Sequence, residues 1–378
     1  MKRRDILKLS TASLSCYCLP SLALSKSNNL IPRHNKKFVW ILLRGGMDGL
    51  HATIPLFDSK LMELRKQLVS PITKQTLPLK RGFVLHPELK FIHELFAAKQ
   101  LNTIVATATP YRKRSHFSAQ DILESGLLKA NVDNGWISRT LSEINLNNKN
   151  KLKALAIANS LPIAMRRNEN ALTWYPSDLP PSSDDLHERL FQIYEKDKTL
   201  SIRLKQALET QKLVSKMSNN KQLGKFPNLA KSCAKLLSEP NGPSIAMLEL
   251  GGWDTHSNQV NRLNRKFKEL DQGIEILYNG LKENWENTTL LINSEFGRTV
   301  KINGTGGTDH GTATSMFIAG GDISGGEVLG KWPGLKKADL YEGRDLMPTS
   351  NTFDWIGKAL QEHWQLSDKQ ISRIFPTS

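Results

Sequence analysis

Cysteine is the scarcest informative residue in this chain, with three among 378 positions. Cys16 and Cys18 fall within the first 25 residues, which leaves Cys233 alone in the remainder. One cysteine makes no internal disulfide, so no covalent framework holds the fold. Long apolar runs are missing as well. Beyond residue 25 no stretch approaches the roughly 18 apolar residues that a membrane-spanning helix needs. Internal repeats and low-complexity segments are absent, which excludes a repeat architecture. Acidic residues are in deficit, 36 against 52 basic ones, giving a formal net charge of +16. Lys2, Arg3, Arg4 and Lys8 against Asp5 account for +3, so +13 stays with the rest of the chain. A surface that basic favours anionic partners: a small phosphate or sulfate ester, an acidic polysaccharide, a lipid head group. No basic arm and no aromatic ladder marks out nucleic acid, which is therefore not an expected partner.

What is present is the composition of a soluble globular protein, 39% hydrophobic and 23% charged. The length suits one large domain or two small ones. Residues 1–25 read as an export signal and not as part of the fold. Lys2-Arg3-Arg4-Asp5-Ile6-Leu7-Lys8 has the form of a twin-arginine signal, an apolar stretch follows, and Ala23-Leu24-Ser25 offers a small-residue cleavage site. The expected location is the periplasm or the exterior. Residues 26–36 are polar and read as a disordered linker, which leaves 37–378 for one domain.

That domain alternates strands and helices. Lys37–Leu43, Asn102–Thr107, Lys153–Asn159, Ser244–Leu250, Thr288–Asn293 and Thr314–Ala319 are short apolar runs bounded by turn residues, the pattern of buried strands. Leu85-His86-Pro87 predicts a helix start, with proline in the first turn. A second helix follows Ser115 and closes near Gly126. The clearest helix carries Val260, Leu263, Phe267, Leu270, Ile274, Leu277, Leu281 and Trp285 at spacings of three and four. Strand, helix and strand in that order form a βαβ unit, so the fold class is α/β with a mostly parallel sheet. Leu186–Met217 reads as charged helix, and 165–240 reads as an inserted subdomain or a cap.

The polar residues gather where such a sheet keeps its ligands, at the carboxyl ends of strands. Asp48 follows the first strand in Arg44-Gly45-Gly46-Met47-Asp48-Gly49. Asp254 and His256 follow Ser244–Leu250 in Gly251-Gly252-Trp253-Asp254-Thr255-His256. Glu295 and Arg298 follow Thr288–Asn293, and a glycine-rich loop delivers Asp309 and His310. Ser115 opens a helix just after Arg112, Lys113 and Arg114, where it is either an N-cap or an oxygen nucleophile beside an anion site. Mixed Asp, Glu and His ligands suit Zn, Mn or Fe better than Ca, with Zn or Mn the expected ion. Taken singly, Asp48 is also a turn residue, Asp254 also a helix cap, and the 309–310 pair also a loop turn.

The motifs RGGMDGL, RSHFSAQDILESG, GGWDTH, SEFGRT, NGTGGTDHG and GRDLMPT, in this order, resemble the bacterial family catalogued as domain of unknown function 1501. That family in turn resembles the alkaline phosphatase superfamily, which includes sulfatases. The resemblance implies a three-layer fold, a mostly parallel central sheet with helices on both faces. It implies an exported, metal-dependent hydrolase or transferase acting on a phosphate or sulfate ester. By position it makes Asp48, Asp254, His256, Glu295, Asp309 and His310 metal ligands and Ser115 the nucleophile; Arg298 is expected to be catalytic because a guanidinium pairs with the oxygens of such an ester. Arg44, Arg114 and His116 are expected to bind substrate. Phe296 stands where a metal histidine is expected, which keeps open a catalytically silent member that binds a surface polysaccharide or a protein. Cys233 lacks the Cys-x-Pro-x-Arg context that resembles a formylglycine sulfatase.

Overall fold

The computed structural model describes residues 35–146, 152–176, 184–197 and 224–376, with a few positions between 200 and 208. The expected export signal and most of the expected linker lie outside the described residues. So does most of the second half of the Leu186–Met217 helix.

Nine strands build one sheet: β1 (Lys37–Leu43), β2 (Leu101–Ala108), β3 (Ala154–Ile157), β4 (Ala171–Trp174), β5 (Ile245–Leu250), β6 (Thr288–Ser294), β7 (Thr314–Gly320), β8 (Val328–Leu329) and β9 (Ser350–Asn351). The order is β8-β2-β7-β6-β1-β5-β3-β4, with β9 also on β2. Only β7 runs against its neighbours, β2 and β6; every other pairing is parallel. Every residue of β1 is buried, as expected of a parallel strand covered on both faces.

Alternate residues of β1 feed two cores. Val39, Ile41 and Leu43 face α2 (Lys90–Ala97), α6 (Phe226–Ser238) and α7 (Gln259–Leu281). Phe38, Trp40 and Leu42 face α3 (His116–Ser125), α4 (Trp136–Asn145) and α8 (Thr352–Trp364). Helices therefore cover both faces of the sheet, giving the three layers expected. The stretch 165–240 both begins and ends in this framework. Its first part supplies β4, an edge strand paired with β3, and its last part supplies α6, whose Phe226 packs on Gly273 of α7. Between them, α5 (Asp184–Tyr194) is the longest described piece. Cys233 is buried within α6. Among the described residues no helix is long and apolar enough to cross a membrane.

One expectation needs correction. The helix predicted from Leu85 begins five residues later, at Lys90. Leu85 belongs to a two-residue strand, and a turn closed by Leu89 N–H on the His86 carbonyl takes up His86 to Leu89. A residue before proline resists helical backbone, which keeps His86 out of the helix. The helix starts where its free amides find an acceptor: Phe91 and Ile92 N–H donate to the Asp271 carboxylate at 3.0 and 2.9 Å.

Register decides where the polar residues meet. Leu43 pairs with Leu250 on one side and with Ser294 on the other. The chain after β1, β5 and β6 thus emerges on one edge, bringing Arg44, Gly251 and Glu295 together. Because β7 is antiparallel, its first residue lies on that same edge, and the loop that precedes it carries His310 there.

Candidate metal centre

Three imidazoles and one carboxylate converge on this edge. His116 Nε2 and His256 Nε2 each lie 3.0 Å from His310 Nε2. Asp254 Oδ1 lies 2.9 Å from His256 Nε2 and 3.2 Å from His310 Nε2, and Asp254 Oδ2 lies 3.4 Å from His116 Nε2. His116, Asp254 and His310 each offer one atom to a mutual group within 4.8 Å.

The opposite nitrogen of each ring fixes its tautomer. His116 Nδ1 faces Glu295 Oε1 at 2.8 Å, His256 Nδ1 faces Asp309 Oδ1 at 3.1 Å, and His310 Nδ1 faces the Arg114 carbonyl at 2.9 Å. Each partner is an acceptor only, so each Nδ1 carries a proton and each ring, in its neutral form, turns an Nε2 lone pair inward. A His310 lone pair facing those of His116 and His256 at 3.0 Å and the Asp254 carboxylate at 3.2 Å is repelled unless a cation stands among them. A divalent metal bound at roughly 2.0–2.2 Å by N and O ligands spaces those ligands by about 3–3.5 Å, close to the distances among His116, Asp254 and His310, with His256 on the His310 and Asp254 side. The donor set therefore fits such an ion, and the acceptors behind the rings are the supports that metal-bound histidines use.

The electrostatics at His310 and Asp254 favour a free lone pair and an ionised carboxylate, whereas those at His116 favour its protonated form. The hydrogen bond and charge of Glu295, with Asp254 adding to them, raise the His116 pKa against burial. Burial dominates at His310 and lowers its pKa. At Asp254 burial favours the neutral acid, but Arg298, His256 and His116 outweigh it and hold the carboxyl below its usual range. Arg298 is buried and donates to Asp254 Oδ1 at 2.5 Å while its other donors meet Thr308. It acts here as the clamp on Asp254.

Close backbone approach makes the convergence achievable. Gly45 has φ +122°, and a Cβ there would lie 2.6 Å from the Asp254 nitrogen. A Cβ on Gly307 would lie 2.3 Å from the His256 carbonyl carbon. Only glycine fits at either position.

Several expected roles are redistributed. Asp254, His256 and His310 stand at the centre. His116, expected to touch substrate, joins them as the third imidazole. Glu295 is buried behind it and fully engaged: Oε1 accepts from His116, Gly45 N–H and Gln120, and Oε2 from Ser294. Asp309 stands behind His256 and also accepts from Asn303 Nδ2 at 3.2 Å. Both carboxylates therefore stand behind the rings of the candidate centre and not within it.

Asp48 is a correction. It is 1% exposed, and both its oxygens meet Arg65, with Nη1 at 3.1 Å and Nη2 at 2.8 Å. Gln259 Nε2 donates to it at 2.6 Å, and Leu50 N–H at 3.2 Å. A carboxylate so committed is one half of a buried ion pair. It reaches the centre only through a relay, Gln259 to Thr308 to Arg298. Arg44 binds Gln120, Glu124 and Glu249, each at 2.6 Å, and Arg114 binds Asp345 and Glu342. Both expected anion binders thus have carboxylate partners. Ser115 occupies the N-cap position of α3 without a side-chain cap bond. Its neighbours Arg114 and His116 both touch His310. Phe296, in the place of an expected ligand, lays its ring 4.8 Å from that of His116 and 5.4 Å from that of His310. Sequence reasoning passed over Arg65, Gln259 and Gln120, because polar residues inside charged helices carry no sign of which face they present.

A family model described as "Protein of unknown function (DUF1501)" matches residues 98–375. The chain belongs to this family. The matched span, residues 98–375, holds His116, Asp254, His256 and His310. No curated protein matches. Among solved structures, the alkaline phosphatase of the Antarctic bacterium TAB5 is similar at 12% identity and TM-score 0.40, over 90% of this chain and 98% of that one. Ps i-CgsB in complex with k-i-k-neocarrahexaose is similar at 12% and 0.39, over 89% and 73%. The C-terminal periplasmic domain of EcEptC from Escherichia coli, in complex with Zn, is similar at 13% and 0.34, over 80% and 76%.

Proposed function

We propose that this family member is an exported hydrolase or transferase of phosphate or sulfate esters, dependent on one divalent metal held by His116, Asp254, His256 and His310. The observation that carries the reading is the set of three Nε2 lone pairs turned inward with every Nδ1 engaged by an acceptor. Three nitrogens and one carboxylate suit Zn or Mn. Such an ion would polarise an ester oxygen and offset the charge that builds on it. The chain's own residues do the rest. Glu295 and Asp309 keep the protons of His116 and His256 on Nδ1. Arg298 keeps Asp254 ionised and in place. Ser115, at a helix start beside His116, is the proposed attacking hydroxyl. The net charge of +16 supports an anionic substrate, and the twin-arginine segment supports export to the periplasm or beyond.

The test is a screen of phosphomonoester, phosphodiester and sulfate ester substrates with Zn or Mn added. Hydrolysis that disappears in Asp254→Ala supports the reading. Inactivity toward all three classes with metal bound would favour the catalytically silent binder, to which the prior pairing of Arg44 and Arg114 with carboxylates lends support.

A further inference from the structure

Beside the candidate centre lies a cavity of about 670 Å³, at the carboxyl ends of β1, β3 and β5. That is within the roughly 300–1,000 Å³ of small-ligand pockets. Its walls differ from the centre in one respect. They carry four carboxylates, Asp121, Glu124, Glu249 and Glu269, against the cations Arg44, Arg166 and Lys266. Two of the cations are shared, Arg44 with Glu124 and Glu249, and Lys266 with Glu269 at 2.7 Å, while Arg166 donates to the Leu161 and Val132 carbonyls. A pocket so balanced does not attract an anion. It offers donors and acceptors side by side, some partly exposed, with Arg44 at 26% and Glu249 at 28%. Hydroxyl groups, which both donate and accept, match that surface.

A second observation is independent of the cavity. Phe117 is 83% exposed, the highest value among the exposed large hydrophobic residues described. It sits in the first turn of α3, next to His116 and four residues before Asp121, which lines the cavity. Residues four apart on a helix are neighbours on one face, with Cβ atoms about 5–6 Å apart. The ring therefore shares a helix face with a cavity-lining residue and is open to solvent, where a flat, partly apolar ligand can cover it. Centre and cavity also share one hydrogen-bonded chain: Glu249 and Glu124 to Arg44, Arg44 to Gln120, Gln120 to Glu295, Glu295 to His116.

We propose that the cavity, with Phe117 at its rim, binds a carbohydrate, so that the ester presented to the centre is one carried on a sugar. The sugar's hydroxyls meet the Arg44–Glu249 wall, and its apolar face covers the Phe117 ring. This deepens the ester-hydrolase reading by naming its substrate class. The binding itself needs no metal and no ester, which allows a separate test.

The whole protein is applied to an array of neutral, unesterified oligosaccharides, and hits are measured by calorimetry. Binding to at least one neutral glycan is expected, weakened tenfold or more in both Phe117→Ala and Asp121→Asn, with unfolding midpoints like that of the unsubstituted chain. Binding should persist in His310→Ala, because the centre is not used. Absence of binding to every neutral glycan, or affinity in the two variants equal to that of the unsubstituted chain, would overturn the inference. Glycan binding by a protein that hydrolyses no ester would leave it standing and remove the enzymatic reading instead.

Discussion

Replacing Arg65 by methionine separates the two roles open to Asp48. In the structure Arg65 and Asp48 are 0% and 1% exposed and meet through two hydrogen bonds. Methionine fills much of the arginine volume but leaves the Asp48 carboxylate with Gln259 and Leu50 N–H alone. Breaking a buried pair by removing one partner costs about 3–5 kcal/mol. Arg65 also donates to the Val300 and Thr299 carbonyls at 2.7 and 3.0 Å, and each buried acceptor left without a partner costs about 1–3 kcal/mol. A loss of at least about 3 kcal/mol is therefore expected, read from the chemical denaturation midpoint at constant slope. Acid should act on the same pair. Burial favours the neutral acid, but Arg65 more than reverses this and depresses the Asp48 carboxyl. A depressed carboxyl stabilises fully above its unfolded pKa of about 3.9 and loses that contribution as pH falls through its lower folded value. Arg65→Met should thus flatten the stability profile below about pH 4. Unchanged stability together with lost metal would refute the ion-pair reasoning and return Asp48 to the metal.

Other expectations follow from the same contacts. Glu295→Gln, which keeps volume but weakens the acceptor behind His116, should lower metal affinity about 10–100-fold in a competition titration. Gly307→Ala, whose Cβ would lie 2.3 Å from the His256 carbonyl carbon, should lower metal affinity by displacing His256; unchanged affinity would show that the loop gives way. Ser115→Ala should cut ester hydrolysis by about 100-fold or more while metal content stays constant, and a smaller loss would pass the attack to water. Burial depresses the pKa of His51 to about 4 and those of His86 and His363 to about 3. The unfolded chain binds those protons first, so stability should fall as pH drops from about 6.5 toward 4, by roughly 3 kcal/mol for His51 alone. His51→Leu should remove that share, since both ring nitrogens of His51 are buried without a partner.

Much of this architecture was legible in the residues, and the reasons are physical. Lys37–Leu43 and Thr288–Asn293 are continuous apolar runs because parallel strands are buried on both faces, and they fall where expected, the second one residue longer. The apolar stripe from Leu263 to Leu281 lies on α7, with Trp285 in the 3₁₀ turn that follows. The polar clusters after strands were visible because glycine and charge interrupt those runs. Hidden were the distances. Nothing in the spacing tells that His116 turns inward while Glu295 and Asp309 stand one layer behind it, since each lies next to a residue that does face the centre. Nor does the charged stretch around Arg65 announce a fully buried guanidinium, because its partner Asp48 belongs to a different element. The late start of α2 depends on the Asp271 carboxylate, 180 residues from Phe91, which local pattern does not contain.

Anomalous diffraction at the metal edge, from crystals grown without chelator, tests the central claim most directly. The account predicts one strong peak, enclosed by His116 Nε2, His256 Nε2, His310 Nε2 and the Asp254 carboxylate, with Glu295 and Asp309 outside bonding distance. A peak bonded to Asp48, or no peak after soaking in either Zn or Mn, would contradict it.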